Sequence, residues 1–476
     1  MKREMKLLTM LLALIVLCGA AMFLTGLDLN AEEEADTSVT VITLDTTQIT
    51  SLSWENLEEE PLSFTLDDGQ WTYDSDSAFP ADTELLDDMA AALGEILASR
   101  AIEEPEDPAE YGLNEPLCTI SVAAGDTTHV LELGDETSLG GERYASIGDG
   151  KVYLVDESLL DTFAYGLYDL VEEEALPTID NVTALSIDAE TQKLKIAYLP
   201  GGGLCYSDEY LWYLESEDGY VNLDNELTED LLGIYQNFEW AECVDYRAED
   251  LAQYGLEEPT AVVTIDYDVT YQVDTGETSE DGSTIYETQT MPTTFTLEIG
   301  SYAGDGYCYA RLAGSDMVYT VDASLSDSAL YTTADTLLPD EVILLDFDQV
   351  TAMDILLDGA TYTLRAETVT ESDDEGNTTE STVWYLDGER VYPTDLITLL
   401  ENLSSGGYAT GLEPERSEEI RFVFHRENEK YPEVELSFHT YDSTHCITQL
   451  NGTSTVLALR EEITALIEKV NSVVLK

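Results

Sequence analysis

The order of apolar and polar residues after position 48 predicts short antiparallel strands. Residues 62–66 and 71–73 alternate apolar and polar side chains, and residues 49–54 do so less regularly. Asp68-Gly69 is a turn signal between the last two segments. Alternation of this kind is typical of a strand that buries one face. We therefore predict a three-stranded meander.

A helical spacing of apolar residues follows the meander. Asp82 is a suitable N-cap, and the apolar residues after it recur at helical intervals. The predicted stripe contains Leu85, Leu86, Met89, Leu93, Ile96 and Leu97. Related stripes contain Leu227, Leu231, Ile234, Tyr235 and Phe238, and later Leu396, Leu399, Leu400 and Leu403. Each stripe predicts an amphipathic helix.

Strand patterns resume beyond the first helix. The predicted strands are residues 117–123, 129–133, 143–147 and 152–155. A short helix is predicted at about residues 158–171, with a counterpart at residues 461–474. Together these elements indicate an α+β unit, in which one or two helices pack against an antiparallel sheet.

Parts of this unit occur twice in recognisable form. The sequence Tyr-Gly-Leu-Asn-Glu-Pro at 111–116 returns as Tyr-Gly-Leu-Glu-Glu-Pro at 254–259, an offset of 143 residues. Leu-Glu-Leu-Gly at 131–134 returns as Leu-Glu-Ile-Gly at 297–300, an offset of 166. The larger offset indicates an insertion of 23 residues, which we place in a long polar hairpin at about 266–292.

A third and more diverged copy is predicted at the end of the chain. Trp71, Trp212 and Trp384 each end or follow a short strand, and Gly-Leu-Glu-Pro at 411–414 resembles the repeated turn without its tyrosine. Acidic segments near Pro177 and Pro339 mark the boundaries. The predicted units are residues 48–176, 177–338 and 339–476, and residues 371–377 are predicted to form an exposed hairpin tip.

The N-terminus has the pattern of a membrane anchor. Residues 1–6 carry Lys2, Arg3 and Lys6, and residues 7–27 contain no charged side chain. Twenty-one helical residues extend about 31 Å, which is the thickness of a bilayer core. The next basic residue after Lys6 is Arg100. The positive-inside rule therefore predicts a single-pass protein of the cell membrane, with residues 1–6 cytoplasmic and the chain after an acidic linker (28–47) extracellular.

Two other interpretations of the N-terminus stay open. Residues 7–27 can belong to a cleaved signal peptide, although the apolar run is longer than usual and no small-residue cleavage site follows it. Cys18 allows a lipoprotein, although Leu17 occupies a position where a small residue is expected. The anchor is the preferred interpretation, with membrane lipid contacted through residues 7–27.

Charge narrows the class of partner. The 476 residues contain 19 Lys+Arg and 99 Asp+Glu, a net charge of −80. Nucleic acid is excluded as a partner, because its phosphates are recognised by basic patches. Aromatic residues at 9% and apolar residues at 43% argue against a disordered acidic tail. Divalent counter-cations are expected as weak, delocalised partners.

The residues that usually carry chemistry are few. His425, His439 and His445 lie near Cys446, but the close pairs of ligands that zinc sites use are missing, and His129 sits in a strand pattern. We predict no catalytic residue, no metal ligand and no cofactor. The Tyr-Gly-Leu turn, the tryptophans and the Gly201–203 turn are interpreted as structural elements.

The remaining cysteines do not form a framework pattern. The cysteines after the apolar segment are Cys118, Cys205, Cys243, Cys308 and Cys446. Their number is odd and no C-x-x-C motif occurs, so no disulfide framework is indicated. One disulfide pair and buried free thiols both remain open.

The order of several short motifs resembles the DUF4340 family of bacterial membrane-anchored proteins. The motifs are DDGQW at 67–71, FPAD at 79–82, EYGLNEP at 110–116 and KVYLVD at 151–156, and the second unit repeats the last part. The resemblance implies an exported α+β domain, associated with the auxiliary subunit of gliding-motility-type ABC transporters. It implies an ATPase and permeases as partners, and no catalytic residues.

These observations favour a non-enzymatic single-pass protein that serves as an auxiliary or scaffold component of an ABC-type transport or cell-envelope complex. The alternative is a stand-alone envelope module that binds a glycan, a peptide or a divalent cation in a cleft between units. An envelope hydrolase is a third hypothesis, for which His425, His439 and His445 are the candidates.

Overall fold

The computed structural model describes residues 38–57, 60–217, 219–279, 281, 283–372, 378–409 and 411–475. The predicted anchor at residues 7–27 lies outside these ranges. Within them, no helix combines the length and the apolar character that crossing a membrane requires. The described strands form three antiparallel sheets of nine strands each, which confirms the antiparallel character of the predicted units.

The first sheet begins at Val39. Its strands are β1 (Val39–Thr43), β2 (Ile49–Asn56), β3 (Leu62–Asp67), β4 (Gln70–Tyr73), β5 (Glu95–Ile102), β6 (Cys118–Ala124), β7 (Thr127–Glu136), β8 (Glu142–Ser146) and β9 (Val152–Asp156). Their order is β1-β5-β9-β8-β7-β6-β2-β3-β4. Strands β2 and β6 join the two meanders in a register that places Trp54 opposite Ile120.

The second sheet contains the predicted long hairpin. Its strands are β10 (Val182–Ala189), β11 (Lys193–Tyr198), β12 (Trp212–Ser216), β13 (Gly219–Asn222), β14 (Glu242–Asp245), β15 (Ala261–Thr278), β16 (Thr284–Gly304), β17 (Tyr307–Leu312) and β18 (Val318–Asp322). Their order is β13-β12-β11-β10-β15-β16-β17-β18-β14. Strands β15 and β16 pair from Ala261 opposite Ile299 out to Thr278 opposite Thr284.

The third sheet is formed by the most diverged part of the sequence. Its strands are β19 (Val350–Leu357), β20 (Ala360–Ser372), β21 (Thr378–Leu386), β22 (Glu389–Val391), β23 (Ser405–Tyr408), β24 (Glu418–Arg426), β25 (Glu433–Thr440), β26 (His445–Leu450) and β27 (Thr453–Leu459). Their order is β22-β21-β20-β19-β24-β25-β26-β27-β23. Ser372 pairs with Thr378, and the predicted tip between them lies outside the described residues.

Eight strands follow the same path in all three sheets. A three-stranded meander pairs through its first strand with the first strand of a four-stranded meander, and an eighth strand pairs with the last strand of the four-stranded meander. The joining pairs are β2–β6, β10–β15 and β19–β24. The ninth strand differs, since β1 extends one edge of the first sheet, whereas β13 and β22 extend the opposite edge of the other two. The three-unit prediction therefore holds at the level of topology.

Each sheet carries a helix between its meanders and another after its last strand. The helices are α1 (Thr83–Ala92), α2 (Ser158–Thr162), α3 (Asn225–Gln236), α4 (Ser324–Tyr331), α5 (Thr394–Glu401) and α6 (Arg460–Val474). Asp82 caps α1 as predicted, because its carboxylate accepts the Leu85 amide at 2.9 Å. Asp224 caps α3 in the same way through the Leu227 amide at 2.8 Å.

Two helix predictions are wrong in extent. Helix α1 ends at Ala92, the Gly94 carbonyl beyond it accepts the Leu44 amide, and Ile96 and Leu97 belong instead to strand β5. The helix predicted at 158–171 is interrupted after α2, because side chains of β2 bind its carbonyl groups. Asn56 donates to the Phe163 carbonyl at 2.9 Å, and Trp54 donates to the Tyr165 carbonyl. Tertiary hydrogen bonds thus override a favourable helical pattern.

All five tryptophans are buried, which confirms their interpretation as core residues. Trp71 in β4 donates its indole N–H to Asp87 on α1 at 2.8 Å. Trp212 in β12 lies 3.5 Å from Glu229 on α3 in the same arrangement. A buried indole needs such a partner, so each tryptophan fixes its helix against its sheet.

The repeated Tyr-Gly-Leu turn packs on the repeated Leu-Glu-Leu/Ile-Gly strand. Gly112 and Gly255 have φ values of 70° and 68°, which favour glycine. A Cβ atom at Gly134 would lie 2.1 Å from the Tyr111 carbonyl oxygen, and one at Gly300 would lie 2.2 Å from that of Tyr254. The two motifs recur together because each requires the other. This contact confirms the structural interpretation of the turn.

The described chain divides into two compact units, one ending at Glu174 and the other running from Ala175 to the end. The first contains the first sheet, whose core includes Trp54 stacked on Phe64 at 5.7 Å. The second contains both remaining sheets. The division lies close to the boundary predicted at Pro177.

The glycine contact predicts the effect of one methyl group. Gly300→Ala should lower the free energy of unfolding by about 1–3 kcal/mol, because the methyl group forces the Tyr254 turn away from β16. Urea unfolding followed by circular dichroism measures this change. Gly233→Ala in α3 is the control and should leave stability unchanged or raise it by up to about 1 kcal/mol. Equal midpoints for Gly300→Ala and the wild type would contradict the packing described.

Candidate functional site

The connection between β11 and β12 is unusually rich in buried aromatic residues. Tyr206 is only 7% exposed and Tyr210 only 3% exposed. Both pack into the core of the third sheet, together with Val342 and Leu345. A surface connection is normally polar. This one is buried because it forms the junction between the second and third sheets, inside the unit that begins at Ala175.

Hydrogen bonds from the third sheet hold the connection in place. Arg426, 7% exposed at the end of β24, donates to the Tyr206 carbonyl oxygen and, at 3.2 Å, to the Gln349 amide oxygen. The Tyr431 hydroxyl donates to the Leu204 carbonyl at 2.8 Å. The contacts with Tyr206 and Leu204 span more than 200 residues of sequence and fix the backbone of the connection.

Lys430 reinforces the same junction from its edge. Its ammonium group lies 3.2 Å from the carbonyl oxygens of Gly202 and Gly203. The Gly201–203 segment is a turn between strands, as predicted, with φ values of 64° at Gly201 and 56° at Gly203. The turn supplies carbonyl oxygens to a cation and does not present a phosphate-binding loop.

A cleft of about 630 Å³ lies beside this junction, between the second and third sheets. Its volume falls within the range of small-molecule sites. Its apolar floor includes Leu204, Leu214, Leu338, Val342 and Leu450. Its polar rim includes Asn222, Asn451, Thr453, Ser454 and Thr455.

Two tyrosines from edge strands stand in the walls of the cleft. Tyr220 on β13 is 46% exposed, and Tyr408 on β23 is 42% exposed. The Tyr408 hydroxyl donates to the Leu338 carbonyl at 2.7 Å, so this ring has a fixed position. The cleft therefore offers aromatic surface in addition to its apolar floor.

Carboxylates gather on one side of the cleft. Asp224, Asp340 and Glu341 bring one oxygen each within 4.8 Å of the others. Glu341 and Asp335 line the cleft itself. Burial raises the pKa of Glu341, a hydrogen bond from Tyr210 opposes that rise, and the negative charges of Asp224 and Asp340 add to it. None of these four carboxylates takes part in an ion pair within the described residues.

The tyrosines beneath the carboxylates remain neutral. Burial raises the pKa of Tyr206 to about 12 and raises that of Tyr210 further. Their hydroxyl oxygens lie 3.4 Å apart, and the Leu344 amide donates to Tyr206 at 3.0 Å. Neutral hydroxyls add no charge, so the charge on this side of the cleft comes from the carboxylates. Carboxylates are suited to binding a positively charged group.

The histidines of the third sheet have separate partners. His425 lies 2.9 Å from Asp354 and 3.3 Å from Glu433, whereas His445 contacts Thr444 and Asp442. His439 lies 3.2 Å from the Ser437 hydroxyl. Among the described residues, the one group of three side chains with metal-ligand geometry is the acidic cluster at Asp224. The histidine cluster weighed for zinc therefore does not assemble.

His425 is hydrogen-bonded to Asp354 on the surface of the third sheet. The pKa of Asp354 is lowered: burial opposes the change, and hydrogen bonds from Thr363 and His425 outweigh it. The Thr363 hydroxyl donates to Asp354 at 2.6 Å. The three side chains lie on neighbouring strands, with Asp354 on β19 and His425 on β24. This arrangement stabilises a strand pair.

No disulfide joins the cysteines in the described residues. Cys118, Cys243, Cys308 and Cys446 are buried, and Cys205 is half-buried in the lining of the cleft. Burial raises the pKa of Cys308 and Cys446 to about 11. Of the two interpretations left open by the sequence, the structure shows thiols without a disulfide in the described residues.

Comparison with protein-family models shows which family the chain is related to. A family model described as "Domain of unknown function (DUF4340)" matches residues 71–204 and 212–420, well over half of the chain. The chain belongs to the DUF4340 family. The matched ranges extend into all three sheets, which confirms the resemblance seen in the motifs at 67–71 and 110–116. No curated protein matches the chain.

The DUF4340 match leaves out the junction. Residues 205–211, between the two matched ranges, contain Tyr206 and Tyr210. The connection that forms the base of the cleft therefore lies outside the matched part of the chain. Sequence analysis missed it, although three tyrosines in eight residues at 206–213 were a usable signal.

The junction predicts that replacing two arginines of β24 has different effects on the free energy of unfolding. Arg426→Lys should lower the free energy of unfolding by about 2 kcal/mol, because a lysine cannot reach both the Tyr206 carbonyl and Gln349. The control is Arg421→Lys on the same strand, where the partly exposed pairs with Glu418 and Glu435 should contribute less than about 1 kcal/mol. Equal losses measured by urea unfolding would show that Arg426 has no special role.

Proposed function

We propose that the protein is a non-enzymatic, single-pass membrane protein whose exported sheets serve as an auxiliary or scaffold component of an ABC-type transport or cell-envelope complex. The observation that supports this proposal is the threefold repetition of one sheet topology behind an apolar N-terminal segment. Repeated units enlarge a surface without adding a catalytic centre.

The charge distribution supports the same proposal. The basic residues Lys2, Arg3 and Lys6 precede the apolar segment, and the acidic residues follow it. In an exported location, the negative surface would be repelled by anionic lipid headgroups and would leave the anchor as the contact with the bilayer. The long hairpin of β15 and β16 offers an exposed arm, with Tyr271, Tyr286 and Met291 on its surface.

Co-purification from mild detergent tests the scaffold proposal. The full-length chain should retain an ATPase and a permease from the native membrane, identified by mass spectrometry. A bait that contains residues 1–47 alone is the control for capture through the anchor. Recovery of transporter subunits with the full chain at only the level of this control would contradict the proposal.

A second function is favoured by the cleft beside Tyr206. A stand-alone binding module needs a cavity of small-molecule size with a few polar groups, and the cleft of about 630 Å³ has these properties. We therefore keep ligand binding between the second and third sheets as the alternative function. Ligand binding is compatible with a scaffold role, because a ligand bound in the cleft can change how the protein interacts with the transport or cell-envelope complex.

A further inference from the structure

The charged side chains that line the cleft are all negative. Among the described residues that line it, two are carboxylates, Asp335 and Glu341, and none is Lys, Arg or His. Asp224 and Asp340 stand behind Glu341 and add negative charge. A half-buried carboxylate beside like charges is unfavourable unless a cation approaches it. Two basic residues of the adjoining junction, Arg426 and Lys430, bind main-chain oxygens of the connection.

The walls of the cleft suit an organic cation. Tyr220 and Tyr408 present exposed aromatic rings, and ring faces attract ammonium and guanidinium groups. Leu214, Leu338 and Val342 provide apolar surface for a hydrocarbon body. The combination of carboxylate, aromatic ring and apolar floor is complementary to a cation that carries a carbon skeleton.

We propose that the cleft between the second and third sheets binds an organic cation, with its alkylammonium or guanidinium group at Glu341 and Asp335 and its apolar body on the leucine-lined floor. This inference rests on the second proposed function and names the chemical class of its ligand.

A divalent metal ion fits the same space less well. Ca²⁺ takes about six to eight oxygen ligands. Asp224 is already engaged as the N-cap of α3, and Glu341 accepts a hydrogen bond from Tyr210. The cleft is far larger than an ion, and much of its surface is apolar. An organic cation uses the whole cleft, whereas a metal ion would use one corner.

The test uses the full-length protein in mild detergent and hexylammonium as the probe. Hexanol has the same carbon chain without the charge, and Ca²⁺ has the charge without the chain. Binding is measured by thermal stabilisation and by protection of Cys205, which lines the cleft, from alkylation read by peptide mass spectrometry. We expect saturable protection by hexylammonium and little by hexanol or Ca²⁺.

Variants locate the binding site. Glu341→Gln should weaken hexylammonium binding about tenfold, because a charge-assisted contact is lost. Glu239→Gln, an exposed residue of the second sheet outside the cleft, is the charge-matched control and should bind like the wild type. If Glu341→Gln fails to fold, the exposed Asp335→Asn should still weaken binding about threefold.

Each contrary result has a distinct meaning. Equal binding of hexanol and hexylammonium, or preferential binding of Ca²⁺, would overturn the organic cation and leave ligand binding in the cleft intact. Binding that is equally weakened by Glu239→Gln and by Glu341→Gln would show general attraction to an acidic protein and overturn the site. The absence of protection by all three probes would overturn both the cation and the binding function.

Discussion

The packing of the second compact unit depends on the hydrogen bonds of the Arg426 guanidinium group. This group lies between the second and third sheets and donates to the Tyr206 carbonyl of the connection between β11 and β12. An arginine can satisfy two acceptors in a plane from within a core. Because Arg426 holds this connection, Tyr206 and Tyr210 become part of the core of the third sheet. The two sheets then share a cleft that neither sheet forms alone.

The junction between the second and third sheets lies in a part of the chain that the three copies do not share. The three sheets use the same path for eight strands, yet the connection with Tyr206 and Tyr210 belongs to the second sheet and lies outside the family match. The repeated parts, such as the contact of Gly300 with the Tyr254 carbonyl, maintain the fold. Copies of one fold acquire different surfaces through the parts that are not repeated. In this chain the parts that are not repeated are the long hairpin, the ninth strands and the aromatic connection.

The carboxylates that make the chain so negative do not all have the same environment. Most carboxylates of a chain with 99 Asp+Glu are surface groups whose effects are screened beyond roughly 8–10 Å. Glu341 differs because it is half-buried and burial raises its pKa. Fields are stronger in a cleft with low-dielectric walls than on an open surface. We propose that the same negative charge that argues against nucleic acid as a partner favours cations in this cleft.

Local patterns predicted most of the fold, and long-range contacts account for what they missed. Alternation located the meanders, and Asp82 marked the start of α1, because both signals depend on near neighbours in sequence. Ile96 was assigned to a helix because its spacing fits one, but pairing with Ile42 in β1 places it in a strand. The cleft could not be predicted in detail, since Asp224 and Glu341 meet across more than 100 residues. The density of tyrosines at 206–213 would have located the connection, but not the carboxylates that lie beside it.

Native-state hydrogen exchange tests most directly whether the second and third sheets form one body. Amide exchange is followed at increasing urea concentrations, and the opening free energy is compared for β15, in the second sheet, and β24, in the third. The account predicts that both strands exchange through one common opening, and that Arg426→Lys lowers the protection of both by the same amount. Exchange of β24 through an opening that leaves β15 protected, in wild type and variant alike, would contradict it.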